Sequence, residues 1–402
     1  MVLKLTWRRI AAAAVAAAVL GLALAWSGVV NIGASTGHWA ITDWFLHWAM
    51  RNTVRTYAAL TVDRKHADLP DDSAQLVSAA GHYAAQCAVC HGAPGEQPSP
   101  VIRAATPPPP DLAKTAGSWS DRQLFWIVKH GVKLTAMPAW PVQNRDDEVR
   151  QMAAFVAKLP GMSADEYRRL AYGENGRVAT GKVTRLEEAL PDCNRCHADD
   201  GRGQPDIPVL AGQKPAYLAQ ALRAFAAGRR ESAVMTAAAA RLDESLIPAL
   251  ADHYAGLSRS PRPTAGGEGP MAAAADRDRL SGRGAAGSED GPTAAEVVEN
   301  GLPELNLPAC SSCHARGKRP TYPRLDGQKA HYLAARLRHW RGDPTVVDAR
   351  KSSATMPMIA RRIPEHLIEP LARHFAERSD ERQEPGPGLP AATGSPANKG
   401  IP

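Results

Sequence analysis

The sequence is poor in aromatic residues and in cysteine. Phe, Trp and Tyr make up 5% of its 402 residues, too little to knit one large aromatic core. With 33 Gly and 33 Pro, the chain reads as small modules joined by irregular segments, and its length allows two or three domains. Six cysteines are present, and all six lie in three pentapeptides: CAVCH at Cys87–His91, CNRCH at Cys193–His197 and CSSCH at Cys310–His314. None is left over for a disulfide between modules. Long apolar runs are also scarce, with one at the N-terminus.

A C-x-x-C pair serves as a redox dithiol, as half of a zinc site or, with His following at once, as a c-type haem attachment site. A dithiol motif needs one copy and no fixed His. Structural zinc wants four ligands at C-x-x-C…C-x-x-C spacing, whereas these pairs are more than 100 residues apart and each carries its own His. Haem attachment satisfies every feature. The cysteine sulfurs form thioethers with the two vinyl groups, and the adjacent His lies under the iron. The residues between the cysteines set only the span, so Ala-Val, Asn-Arg and Ser-Ser all serve. The pattern predicts three covalent haem c groups. Cys87 and Cys90 hold the first, Cys193 and Cys196 the second, Cys310 and Cys313 the third. His91, His197 and His314 are the expected iron ligands, and no catalytic residues are expected.

An electron-transfer haem also needs a sixth ligand, usually Met, whose soft thioether raises the potential of the iron. Met137, Met235 and Met356 follow their histidines by 46, 38 and 42 residues, enough chain to wrap a haem and return to its far face. His130 is a competing ligand to Met137, and Met358 to Met356. Met137 is followed by Pro138, and alignment of the repeat described below superposes Met235 on Met356, which favours Met137 and Met356. Each module also has a proline between His and Met: Pro110, Pro208 and Pro323. A proximal imidazole wants an acceptor on its other nitrogen, and these proline carbonyls are the candidates.

Ile10–Val30 is a run of 21 uncharged, mostly apolar residues preceded by Lys4, Arg8 and Arg9. About 20 residues suffice to span a bilayer, and the flanking charge keeps the N-terminus cytoplasmic. A signal peptide with Ala23-Leu24-Ala25 as its cleavage pattern is the alternative. The run exceeds the usual apolar region of about 7–15 residues, which favours an uncleaved, single-pass anchor in a bacterial inner membrane with the haem domains in the periplasm. Trp39, Trp44 and Trp48 then mark a helix at the membrane surface. His38 and His47 beside them are explained by that placement without ligation.

The second and third modules are an internal repeat. GQKPAYLAQAL at Gly212 matches GQKAHYLAARL at Gly327, and RLDESLIPALADHYAGL at Arg241 matches RIPEHLIEPLARHFAER at Arg362. Leu246, Ile247, Leu250 and Tyr254 recur as Leu367, Ile368, Leu371 and Phe375, one apolar helical face in each copy. The first module follows the same plan in other words. Ser120 and Gln123 form a capping-box pattern, and Phe155 lies on a closing helix that Pro160 ends. The predicted organisation is a cytoplasmic stub and anchor over 1–35, an interfacial helix over 36–62, and modules over 63–172, 183–258 and 300–379. A Gly/Ala/Pro-rich linker over 259–299 and a tail over 380–402 are too polar to fold.

On these motifs the chain resembles class I c-type cytochromes. The second and third modules look like the two halves of dihaem cytochrome c4, and the first resembles membrane-anchored bacterial monohaem cytochromes through WSDRQLFWIVKHGVKLTAMPAW. The resemblance implies an all-α chain of three small cytochrome c domains in tandem behind a transmembrane helix. It implies His/Met ligation and single-electron carriage between respiratory partners: a quinol-oxidising complex, a terminal oxidase or a periplasmic dehydrogenase. A role as the trihaem subunit of a membrane-bound dehydrogenase complex is the alternative. Cytochrome c4 joins its halves by a short connection, whereas roughly 40 residues separate them here. The sequence therefore does not require the halves to pack closely. Of the net charge of +7, residues 301–380 carry a balance of +6. That surface suits an acidic redox partner; nucleic acid is not expected in this compartment. Replacing both Cys310 and Cys313 by Ala is expected to leave two covalent haems per chain, counted by intact mass.

Overall fold

A computed structural model describes residues 6–29, 33, 37–64, 68–70, 73–173, 181–203, 207–259, 291–315, 318–342 and 355–378. The tail, residues 260–290 of the predicted linker and the break at 174–180 lie outside the described residues. Among those described, every named element is helical. The main helices are α1 (Trp7–Trp26), α2 (Ala40–Thr61), α3 (Ser73–His82), α4 (Asp121–His130) and α5 (Asp146–Lys158). They continue with α6 (Ala164–Tyr172), α7 (Leu186–His197), α8 (Pro215–Ala226), α9 (Ala233–Ala239) and α10 (Leu246–Gly256). The last four are α11 (Ala294–Asn300), α12 (Ala330–Arg341), α13 (Thr355–Ala360) and α14 (Glu365–Glu377). The described chain divides into two compact units.

The first unit holds residues 1–69, 83–141 and 152–167. Its α1 is 20 residues long with a mean hydropathy of 1.9, long and apolar enough to cross a membrane, and none of it is buried. The predicted surface helix has two characters. Trp39, Trp44 and Trp48 are exposed, whereas Val54 and Ala58 on the C-terminal half of α2 are buried. That half packs on α4, with Tyr57 and Trp126 at 6.0 Å, and the Arg51 guanidinium lies 5.0 Å over Trp119, just ahead of α4. The α4 helix opens with the expected Ser120–Gln123 capping box. At the centre Tyr83, Phe155 and Tyr167 are fully buried. Tyr83 lies 5.3 Å from Phe155 and 6.3 Å from Tyr167. Such ring pairs add about 0.5–1.5 kcal/mol each beyond their burial. The Tyr83 hydroxyl donates to Gly92 O at 2.7 Å, tying this core to the turn that carries the first C-x-x-C-H.

The second unit holds residues 70–82, 142–151 and 168–402. The repeat read from sequence appears as two equivalent cores. Leu246, Ile247, Leu250 and Tyr254 are buried on α10, and Leu367, Ile368, Leu371 and Phe375 on α14. Tyr254 reaches α7, where its hydroxyl donates to Asn194 Oδ1 at 2.6 Å. The third core begins earlier than the expected boundary. Thr293 and Glu296 form a capping box that starts α11 inside the stretch read as linker, and Val297 and Val298 bury beneath it.

The two repeat halves pack directly on each other within this unit. Gln213 Nε2 donates to Arg324 O at 3.0 Å while Arg324 N donates to Gln213 Oε1 at 2.8 Å. Reciprocally, Gln328 Nε2 donates to Val209 O at 3.0 Å and Val209 N donates to Gln328 Oε1 at 2.9 Å. Lys214 Nζ reaches Lys318 O and Arg319 O, both at 3.2 Å, and Lys329 Nζ reaches Ile207 O at 2.8 Å. The long connection does not hold the halves apart, because loop-closure entropy grows only logarithmically with length.

A second buried polar cluster anchors α9, the helix that carries Met235. Ser232 caps it by accepting from Met235 N at 3.1 Å. The Ser232 hydroxyl donates to Glu148 Oε1 at 2.6 Å, and Ala233 N donates to Glu148 Oε2 at 2.8 Å. Glu148, at 6% exposure, also pairs with Arg145 at 3.0 Å. Burial outweighs Arg145 and holds the Glu148 carboxyl above its usual range. The value of Glu148 is therefore that it satisfies buried donors rather than that it gains Coulomb energy. Glu148→Ala is expected to cost about 2–3 kcal/mol, read as a lower midpoint in chemical denaturation.

Candidate haem sites

Each attachment motif ends a short helical segment, so its two cysteines and its histidine are presented close together. In the first unit a π-helical turn, Tyr83–Cys87, runs into Ala88–His91. In the second unit one motif closes α7 and the other runs from Cys310, the N-cap, through the turn Ser311–His314. Cys87, Cys90, Cys193, Cys196, Cys310 and Cys313 are all free and half-buried.

Cys87 is the last residue of the π-helical turn, whereas Cys90 lies inside the α-helical turn that follows, next to His91. Both cysteines of the second motif, by contrast, belong to α7. The first pair thus spans two adjoining helical turns, with Cys90 next to His91. The two thiols remain neighbours. Burial pushes the thiol of Cys87 up to about 12, and the adjacent Cys90 adds to the shift. Burial likewise pushes Cys193 up to about 12 and Cys310 up to about 11.

The histidines share one geometry. His91 Nδ1 lies 2.9 Å from Pro110 O, His197 Nδ1 3.4 Å from Pro208 O, and His314 Nδ1 2.9 Å from Pro323 O. A carbonyl oxygen only accepts, so the proton resides on Nδ1 and the Nε2 lone pair is free. Burial lowers all three imidazoles, that of His197 to about 4, and the proline carbonyls oppose the shift. The neutral ring is the form that binds a metal. The three prolines singled out between His and Met are therefore the acceptors in all three modules. A paired set of unbridged thiols with an oriented, neutral imidazole fits a covalently attached haem.

The sixth-ligand candidates lie on different kinds of structure. Met137, half-buried, is on the loop after α4 and in the same unit as His91. Its amide donates to Thr135 Oγ1 at 3.1 Å, and its carbonyl accepts from Val132 N at 3.3 Å. Gly131, with φ +63°, lets this loop fold back. A Cβ there would sit 2.5 Å from Pro138 O and 2.6 Å from Met137 O. Met235 on α9 and Met356 on α13 are half-buried and share the second unit with His197 and His314, whereas Met358 is 41% exposed. His130 lies against Trp126 with ring centroids 5.0 Å apart and the planes tilted by 43°. His47 Nδ1 lies 2.9 Å from Asp43 O on its own helix.

The profile of the family described as "Cytochrome C oxidase, cbb3-type, subunit III" matches residues 74–156. The thiosulfate dehydrogenase electron acceptor of Thiomonas intermedia (strain K12) is 36% identical over 165 residues, 38% of this chain and 66% of that protein. Its counterpart in Stutzerimonas stutzeri (strain A1501) is 30% identical over 242 residues, 59% of this chain and 94% of that protein. Cytochrome c4 of Azotobacter vinelandii is 31% identical over 160 residues, 37% of this chain and 67% of that protein. The chain belongs to the c-type cytochromes. As a c-type cytochrome it binds haem c and transfers electrons, and its all-α fold with a proline-anchored histidine in each motif accords with that class. What sequence reasoning missed in this cytochrome is a set of separate polar contacts: Tyr83 on Gly92 O in the first unit and, in the second, Glu148 beneath α9 and the two glutamines between the halves. It also missed the π turn that separates Cys87 from Cys90. The repeated GQK was the one visible signal among these. Gly131→Ala is expected to displace the Met137 loop and to cost about 1–3 kcal/mol in backbone strain, measured by thermal unfolding.

Proposed function

We propose that the chain is a membrane-anchored, periplasmic trihaem cytochrome that carries single electrons between respiratory partners. The observation that carries this reading is the threefold recurrence of a free C-x-x-C pair beside a histidine whose Nδ1 is given to a proline carbonyl. Cys87 with Cys90, Cys193 with Cys196, and Cys310 with Cys313 would hold the three groups by thioethers. His91 with Met137, His197 with Met235, and His314 with Met356 would close the two axial positions. Met356 is preferred to Met358 because it is the less exposed of the two.

Haem, when bound, supplies a one-electron couple. The chain's own residues do the rest. Proline carbonyls orient the imidazoles, buried helix faces exclude water, and the methionine thioethers favour the reduced state. The apolar exposed α1 supports a single-pass anchor in a bacterial inner membrane, with the exposed tryptophans of α2 at its outer surface. Three modules are the domain division we favour, over 63–172, 183–258 and, with α11 added to the expected 300–379, 293–379, and the basic third module suits an acidic redox partner.

A second reading has a specific observation behind it. Two relatives bear the name thiosulfate dehydrogenase electron acceptor. The chain would then be the electron-accepting subunit of a dehydrogenase complex rather than a free carrier, with the same chemistry inside it. Co-purification of a large catalytic subunit favours that reading, and a chain that purifies alone from its native membrane favours the carrier. Met137→His is expected to lower the potential of one haem of three with covalent haem content unchanged, followed by spectroelectrochemical titration. An unmoved potential would remove Met137 from the ligand set.

A further inference from the structure

The GQK sequence that opens each repeat is not used by haem attachment, yet its glutamines are among the few buried polar residues, 4% exposed at Gln213 and 5% at Gln328. Their partners are not arbitrary backbone positions. Gln213 Oε1 accepts from Arg324 N, and that N–H belongs to the same peptide unit as Pro323 O, the acceptor of His314 Nδ1. Gln328 Oε1 accepts from Val209 N, in the same peptide unit as Pro208 O, the acceptor of His197 Nδ1. A peptide unit is planar, so fixing its N–H fixes the direction of its carbonyl. Each glutamine also donates Nε2 to the next carbonyl, Arg324 O or Val209 O, which locks the amide at two points.

We infer that Gln213 and Gln328 are positioning residues that act in trans, each repeat half setting the proximal histidine of the other half through one shared peptide unit. The inference rests on the haem reading above. The chain of bonds runs from imidazole Nδ1–H to proline carbonyl, through the peptide, to the glutamine of the opposite half. Hydrogen bonds in series polarise one another. An N–H engaged by glutamine makes its peptide carbonyl a stronger acceptor. A stronger acceptor on Nδ1–H makes the imidazole a more basic ligand, which stabilises the oxidised iron and lowers the potential. The two halves are not equal. His314 Nδ1 sits 2.9 Å from its carbonyl and His197 3.4 Å, so the effect of Gln213 on the third haem exceeds that of Gln328 on the second. The arrangement also explains why the glutamine is repeated: reciprocal positioning needs one in each half.

The test uses the full-length chain with its haems. Spectroelectrochemical titration follows each transition, the third being assigned by its absence in the chain carrying both Cys310→Ala and Cys313→Ala. Proton–nitrogen NMR of histidine-labelled reduced protein follows each Nδ1–H. Gln213→Leu is expected to raise the potential of the third haem and to move the His314 Nδ1–H resonance, with the second haem unmoved. Gln328→Leu is expected to do the same, more weakly, to the second haem and His197. Gln213→Glu keeps an acceptor for Arg324 N and is expected to leave the third potential at or below its original value, which also covers the case in which the leucine variant does not fold. Equal movement of both potentials in either leucine variant, or no movement of the third in Gln213→Leu, would overturn the inference. So would a third potential raised by Gln213→Glu. A chain that carries fewer than three haems by mass before any substitution would instead overturn the haem reading.

Discussion

One hydrogen bond, made three times, organises this molecule: the histidine of each attachment motif gives its Nδ1 proton to a proline carbonyl. The bond fixes the tautomer, aims the other nitrogen and holds the ring while burial keeps it neutral. Proline suits the acceptor position because its φ is locked and it has no N–H of its own. Around this bond the rest is support. In the first unit Tyr83 ties a fully buried aromatic group to the turn after His91. In the second, α10 and α14 bury the same four-residue face behind their respective motifs.

The supports around the second and third sites are polar as well as apolar, and they come from distant parts of the chain. Glu148 satisfies the first donors of the helix bearing Met235. Gln213 and Gln328 engage the peptide units that hold the opposite histidines. Buried polar groups carry a desolvation cost that is offset only when every donor finds its acceptor. Here the amides are engaged at both ends, and the carboxylate of Glu148 accepts from Ser232 and Ala233 and forms an ion pair with Arg145. Such contacts fix geometry more than they add stability, which suits a protein whose chemistry depends on small displacements at a bound group.

Much of this was legible in the sequence because haem attachment is local chemistry. Cysteine, cysteine and histidine must lie close along the chain, so spacing alone marks them. Spacing does not reveal the helix type, and the π turn that ends at Cys87, ahead of Cys90, left no mark in it. Helix faces such as Leu246, Ile247, Leu250 and Tyr254 were legible for the same local reason, as were the Ser120–Gln123 capping box and the prolines between histidine and methionine. Apart from Tyr83 on Gly92 O, the other contacts that were not legible join residues far apart. Gln213 meets Arg324 more than 100 positions away, and Glu148 meets Ser232 across two helices. The linker length did not require the halves to pack closely, but loop-closure entropy grows only logarithmically with length, so packing between the halves decided the matter. The start of α11 was missed because composition outweighed a capping signal at Thr293 and Glu296.

The central claim is that each of the three motifs carries its own covalent porphyrin. Peptide-level mass spectrometry of the chain purified from its native export pathway addresses it most directly. The account predicts three distinct peptides, containing Cys87–His91, Cys193–His197 and Cys310–His314, each heavier by one haem. A motif recovered with free thiols, with an internal disulfide or with a zinc ion in place of the porphyrin would contradict it.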